Sequence, residues 1–373
     1  MKFSKANIAL FFCSTLAALL LGELVFQKIA PLEKGFNHHQ LYCEYDSLLG
    51  WRKIPNNRGL HKTAEYEVLE EINSMGIRGE EMQMEKDSAT FRILVLGDSF
   101  AEGYTVAFDE LFSEIMRDSL AKKYPGIRFE VINAGTGGYS TDQELLWFES
   151  QGARFQPDLT LLLFCTNDPW YNAQSRYWRG FKPRFILEKD SLVLTNVPVP
   201  TLASRSLLGK VKDWLLLHSQ LVRRVKNAKD NLKYAADGQA VPDEWKIYQT
   251  PTSPQMEEAW QVTAALLQRL AQKTKAAGSG LLVFYIPEKI EVYEADWQNF
   301  LAEYSLDEQF FDKAEPRRRL GFTCDSLGIY WLDPAEKFTE EGRRERLYFE
   351  KDWHWNALGN RLVGQLLADS IQF

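Results

Sequence analysis

Five short runs in the sequence are apolar with no polar alternation, or nearly so: Ile93-Leu94-Val95-Leu96, the "FEVIN" of "RFEVINAGTGGYS", "LTLLLFCT" before Asn167, "GLLVFYIP" and "IYWLD". Strands of this kind are buried on both faces, as in a parallel sheet covered by helices. Between them the apolar spacing turns helical: from about Leu111, through "TDQELLWFESQGARF", from about Ser253 to Ala277, from Pro316 to Leu327, and from Asn356 to Ala368. The alternation predicts an α/β fold, a doubly wound, mostly parallel sheet in three α/β/α layers of flavodoxin-like type. Ligands of such sheets bind at the carboxyl ends of the strands.

Two stretches break the pattern. Asn7 to Phe26 is almost continuously apolar and follows Lys2 and Lys5. Nineteen residues from Ile8 would rise roughly 28 Å as a helix, about one bilayer core. No small-x-small cleavage site follows, so residues 1–28 are read as an uncleaved signal anchor, a single transmembrane helix. The basic end stays inside, which places the rest of the chain in an extracytoplasmic location, periplasmic or extracellular. Residues 171–253 form the second break, an insertion or lid. It contains a hairpin-like piece, "RFILEKDSLVLTNVPVP", and an amphipathic segment from Leu207 to Tyr234 whose basic side reads as a solvated face. The remaining divisions are 29–90, turn-rich strands and loops packed on the core, and the two core halves, 91–170 and 254–373.

Composition narrows the function. The 373 residues carry a net charge of −7, with 44 Lys and Arg against 51 Asp and Glu. That balance argues against a nucleic-acid partner, which requires clustered basic residues. Beyond the anchor lie only Cys43, Cys165 and Cys324, and Cys165 sits inside an apolar strand. Cys43 with Cys324 is therefore the pairing to consider in an oxidising compartment. No Cys/His spacing suggests a metal, and no cofactor is implied. His38, His39, His61 (in a loop) and His218 read as solvated or structural.

The remaining histidine keeps different company. Strand ends place Asp98 and Ser99, the glycines of "NAGTGGYS", and Asn167 with Asp168 on one rim, and "YFEKDWHWNALGNRL" adds Asp352 and His354 just before the last helix. A serine nucleophile needs a base, an acid to orient it and donors for the oxyanion. Ser99 would attack an ester carbonyl, His354 would be the base, and Asp352 would fix its tautomer. Since residues two apart point opposite ways in a strand, "DWH" must form a loop or turn. The oxyanion donors would be the N–H of Ser99, an N–H of the Gly135 to Gly138 loop and the amide of Asn167. The helix after Ser99 would lend its positive end to them.

In order, "GDS" at Ser99, "GTGGYS" at Gly138, "TND" at Asn167 and "DWHWNALGN" at His354 resemble the four signature blocks of SGNH (GDSL-type) esterases and acylhydrolases. The resemblance runs from about Arg92 to Leu367. It implies an SGNH-type sheet with Ser99 as nucleophile, Gly138 and Asn167 as oxyanion donors and His354 as base. Many members carry Asp-x-x-His; here Lys351 takes that place and Asp352 lies one residue closer. Asp-x-His is similar to the arrangement in SGNH-like proteins that O-acetylate extracytoplasmic polysaccharides.

The expected activity is ester hydrolysis, with a glycan, lipid or small ester as substrate. Acyl transfer to an envelope polysaccharide and a catalytically silent glycan-binding or assembly scaffold are the alternatives. An α/β-hydrolase fits less well, because its nucleophile follows several earlier strands. A metallophosphoesterase lacks its upstream ligands. Trp170, Trp353 and Trp355 stand beside the site, where they would stack on a sugar, exclude water or pack in the core.

Overall fold

The computed structural model describes residues 4–29, 42–177, 180–189, 191–201, 211, 214–215, 219–237 and 241–372. The chain separates into two units: Met1–Asn37 with Leu202–Ala240, and His38–Thr201 with Val241–Phe373. The segment expected as a single insertion is thus divided between them. In the first unit an exposed apolar helix, Lys5–Ile29, includes a stretch from Leu10 to Ile29 long and apolar enough to cross a bilayer. Its Glu23 carboxylate accepts hydrogen bonds from Ser219 Oγ and from the N–H groups of Gln220 and Leu221, at the start of helix Gln220–Asp237. Part of the predicted amphipathic segment, with His218, and also His38 and His39, lies outside the described residues.

The second unit is built on five parallel strands: β1 (Thr90–Leu96), β2 (Arg128–Asn133), β3 (Leu159–Phe164), β4 (Gly280–Tyr285) and β5 (Tyr330–Leu332). Their order across the sheet is β5-β4-β3-β1-β2, so the winding reverses between β1 and β3. The uninterrupted apolar runs now have a physical reason. In β1, Leu94 and Leu96 enter one core while Ile93 and Val95 enter the other; in β3, Leu162 and Phe164 oppose Leu161 and Leu163 in the same way. Helices Thr141–Ser150 and Pro254–Ala276 cover one face, and Phe112–Lys123 and Ala357–Ser370 the other.

Residues before β1 fold into two antiparallel hairpins, Cys43–Asp46 with Gly50–Lys53 and Arg58–Lys62 with Glu67–Glu71. His61, expected in a loop, is instead a buried strand residue bonded to Glu70 Oε2 at 2.7 Å. The hairpin-like piece is a true hairpin, Arg184–Glu188 with Ser191–Thr195, and its Phe185 is wholly buried in the main core. Cys43 and Cys324 are not joined by a disulfide. Each packs against the same apolar cluster, serving as a small hydrophobe rather than a bridge.

Leu162 has no exposed surface and its sheet neighbours are fixed on both sides. Leu162→Ala should lower the unfolding free energy of the second unit by about 2–5 kcal/mol, read from denaturant titration; a loss under about 1 kcal/mol would contradict this account of the core.

Candidate active site

β1 delivers Ser99 by way of Gly97, whose φ is +157°. A Cβ there would lie 2.7 Å from the Cβ of Ala101, so a side chain is excluded where the chain turns out of the sheet. Asp98 caps the turn by accepting from Phe100 N–H at 2.8 Å. Helix Ser99–Glu102 is one turn long, and the amphipathic helix expected from about Leu111 is a separate one, Phe112–Lys123. The expected helix-dipole contribution therefore reduces to the N–H groups at the start of that single turn.

The glycine loop after β2 closes against the same turn. A Cβ on Gly135 would lie 2.4 Å from Glu102 N, so only glycine permits the approach. Within the loop, Gly135 N–H donates to Asn133 Oδ1, Thr136 N–H to Gly97 O, Gly137 N–H to Glu102 Oε2 and Tyr139 N–H to Thr136 O. Gly138 is thus the loop residue whose N–H donates to none of the described residues, and its φ is +78°. Trp51 Nε1 donates to Gly137 O, and Tyr139 OH donates to Trp51 O, which ties the loop to the first hairpin.

After β3, Asp168 is buried and accepts from Thr141 Oγ1 and Cys165 N–H. Burial, with the Asp98 charge nearby, raises its carboxyl pKa well above the ordinary range. Asp168 thereby fixes the turn, while Asn167 beside it is half-buried and its amide bonds none of the described residues. β1 and β3 border the point where the winding reverses, so Ser99 and Asn167 flank the crevice where doubly wound sheets bind ligands.

The C-terminal group arrives on a loop. His354 Nε2 lies 2.7 Å from Ser99 Oγ, and its Nδ1 lies 2.5 Å from Asp352 Oδ1. "DWH" is indeed non-extended: the Asp352 carboxylate also accepts from the backbone N–H of His354 at 3.0 Å, forming an Asx turn. The other oxygen accepts from Tyr66 OH at 2.8 Å. Burial acts to raise the Asp352 pKa, but the hydrogen bonds and charge of His354 outweigh it and hold the carboxyl well below its usual value. For His354 burial acts downward, and the Asp352 hydrogen bond and charge, with Asp98 and Glu288 behind, prevail and raise it above 6.5.

Sequence reasoning missed the groups that hold this loop. Glu65 accepts from the N–H groups of Glu350, Lys351 and Asp352. Lys289 donates to the carbonyl oxygens of Phe349 and Glu350, and Tyr104 OH lies 3.3 Å from His354 Nδ1. Nothing in the local sequence marks these residues, since their partners lie far away along the chain. Of the three tryptophans, Trp355 is wholly buried in the core, Trp170 is half-buried and Trp353 is 43% exposed. Among the described residues no group of His, Cys, Asp and Glu is arranged to hold a metal ion.

Several solved structures are similar to the chain at low identity. A catalytic mutant of Axe2, an acetylxylan esterase from Geobacillus stearothermophilus, is 12% identical, with 77% of this chain and 98% of that chain covered and a TM-score of 0.42. The acetyl xylan esterase AlAXEase is 15% identical over 75% and 100% of the two chains, TM-score 0.42, and TesA 12% over 74% and 94%, TM-score 0.39. No curated protein matches the sequence significantly. The GDSL-like lipase/acylhydrolase family model matches residues 95–309, more than half of the chain. With that match joined to the five-stranded parallel sheet, the chain belongs to the GDSL-like lipase/acylhydrolase family, of SGNH type, and is an ester hydrolase.

Proposed function

We propose that Ser99, His354 and Asp352 form the catalytic triad of a membrane-anchored, extracytoplasmic ester hydrolase. The reading rests above all on the hydrogen-bonded chain from Asp352 through both imidazole nitrogens to Ser99 Oγ. His354 Nε2 takes the hydroxyl proton as Ser99 Oγ attacks the ester carbonyl. The oxyanion forms against the N–H groups of Ser99 and Gly138 and the amide of Asn167. Collapse expels the alcohol, which receives the proton from His354 and leaves an acyl group on Ser99. Water, deprotonated by the same imidazole, then releases the acid.

Anchoring is supported by the helical stretch Leu10 to Ile29, most of whose apolar side chains are exposed within its own unit, Phe26 being half-buried. A surface of that kind is stable in hydrocarbon and costly in water. Lys2 and Lys5 precede it, which favours a cytoplasmic end there and an extracytoplasmic catalytic unit.

Ser99→Ala should abolish both ester turnover and labelling by a fluorophosphonate; labelling that persists in this variant would assign the nucleophile elsewhere. Asn167→Ala should lower kcat about 10²–10³-fold with KM little changed, as for loss of one oxyanion donor. The pH profile has a definite sign. His354 acts as base only when neutral and its pKa lies above 6.5, so kcat/KM should rise with pH through an inflection above 6.5. Asp352→Asn should move that inflection down and lower kcat by on the order of 10⁴; an unmoved inflection would remove Asp352 from the triad. Full-length protein should stay in the membrane pellet through an alkaline carbonate wash, and release into the supernatant would refute the anchor.

A further inference from the structure

Trp353 stands between the two residues of the Asp-x-His turn, yet its indole is 43% exposed. It belongs to a second aromatic group that the reaction itself does not use. Trp245, half-buried, lies with its ring 5.3 Å from that of Trp353 and 5.4 Å from that of Phe300. Phe300 in turn meets Tyr304 at 5.4 Å. These four rings wall a cleft of about 450 Å³, within the ~300–1,000 Å³ range of small-molecule sites.

The rest of the lining is hydrophilic. Asn299, Glu303 and Lys351 are exposed at the rim, and the Lys289 ammonium lies 5.7 Å from the Trp353 ring. Asp296 is half-buried and ion-paired to Arg346 at 3.5 Å. Flat aromatic faces alternating with amide, carboxylate and ammonium groups suit a sugar ring, whose C–H faces lie on π surfaces while its hydroxyls both donate and accept. An acyl chain has no use for such polar partners and would leave them desolvated and unpaired. Charges of both signs line the cleft, which favours a neutral, hydroxyl-rich ligand over a polyanion.

The walls are also preorganised. Lys289 holds the carbonyl groups of Phe349 and Glu350 while Glu65 holds the N–H groups of Glu350, Lys351 and Asp352, so the loop that carries Trp353 is clamped from both sides. A clamped indole loses little freedom on binding. We infer that this cleft is a glycan subsite, with Trp353 and Trp245 as specificity-determining residues that hold the sugar bearing the ester beside His354. The inference rests on the triad reading above.

The test uses full-length protein in detergent, with partially O-acetylated oligosaccharides of xylose, mannose and glucose compared with 4-nitrophenyl acetate and 4-nitrophenyl palmitate. Trp353→Ala and Trp245→Ala should lose at least tenfold more kcat/KM on an oligosaccharide ester than on 4-nitrophenyl acetate, chiefly through KM. Trp353→Phe should recover most of that loss. The Ser99→Ala variant should bind the same oligosaccharide with quenching of tryptophan fluorescence, and adding Trp353→Ala should remove the binding. Equal losses on all substrates, a selective loss on the palmitate ester, or no binding of any oligosaccharide by Ser99→Ala would each overturn the subsite. Fluorophosphonate labelling of Ser99 in the tryptophan variants separates the two readings: labelled protein without glycan selectivity defeats the subsite alone, whereas wild-type protein that does not label defeats the triad.

Discussion

A carboxylate that must orient a histidine only two residues away has to fold back over its own backbone. In an extended chain the two side chains would point apart. Asp352 meets the constraint by accepting the backbone N–H of His354 as well as its ring Nδ1, so the turn and the tautomer are set by one group. Such a turn strips N–H groups of their usual strand partners. Glu65, delivered by the second hairpin, accepts them, and Tyr66 next to it takes the remaining Asp352 oxygen. The short Asp-x-His spacing therefore makes the proposed triad dependent on residues near the start of the second unit.

The same hairpins brace the Ser99 turn from beneath. Glu102 ends the single helical turn begun by Ser99, is buried, and accepts from Gly137 N–H at 2.7 Å. Its second oxygen faces Lys53 at 3.3 Å, Lys53 faces Glu70 at 3.7 Å, and Glu70 bonds His61. Arg78, also buried, donates to the carbonyl oxygens of Glu102, Gly103 and Val106. Charges removed from water are costly unless paired, and losing one partner of such a pair typically costs about 3–5 kcal/mol. The network thus specifies one arrangement of the Ser99 turn and the glycine loop, and small displacements of either would leave a buried charge uncompensated.

What the sequence made legible follows from how local each signal is. The five sheet strands were readable because each is buried on both faces and so written in consecutive apolar residues. The candidates Ser99, Gly138, Asn167 and His354 stood out because each sits at a junction where a turn residue can also be a chemical one. Glu65, Tyr66, Lys289 and Glu102 were not: their roles are set by partners across the fold, and each taken alone is an ordinary polar residue. The helix after Ser99 is shorter than expected for a related reason. Helical periodicity locates the long helix at Phe112 but says nothing about the single turn that precedes it. His61 was misplaced because a buried His–Glu pair reads in sequence like any polar strand edge.

The two halves of the site are built from different materials, and this has a consequence for selectivity. In the proposed site the oxyanion side is largely backbone: Ser99 and Gly138 N–H groups, set by glycine geometry and by the buried charges beneath. The proton-transfer side is a loop held largely by the side chains of Glu65, Tyr66 and Lys289, together with the backbone bond from Phe349 N–H to His354 O, and that loop also carries Trp353 into the neighbouring cleft. Because Trp353 lies between Asp352 and His354, a shift of its backbone would move the carboxylate and the ring, while the indole itself can still turn about its own side-chain bonds. On the reading proposed above, a ligand that merely rests on the indole would act through binding, whereas one whose fit required the loop backbone to move would disturb the hydrogen bond that sets the imidazole and would be penalised in rate as well.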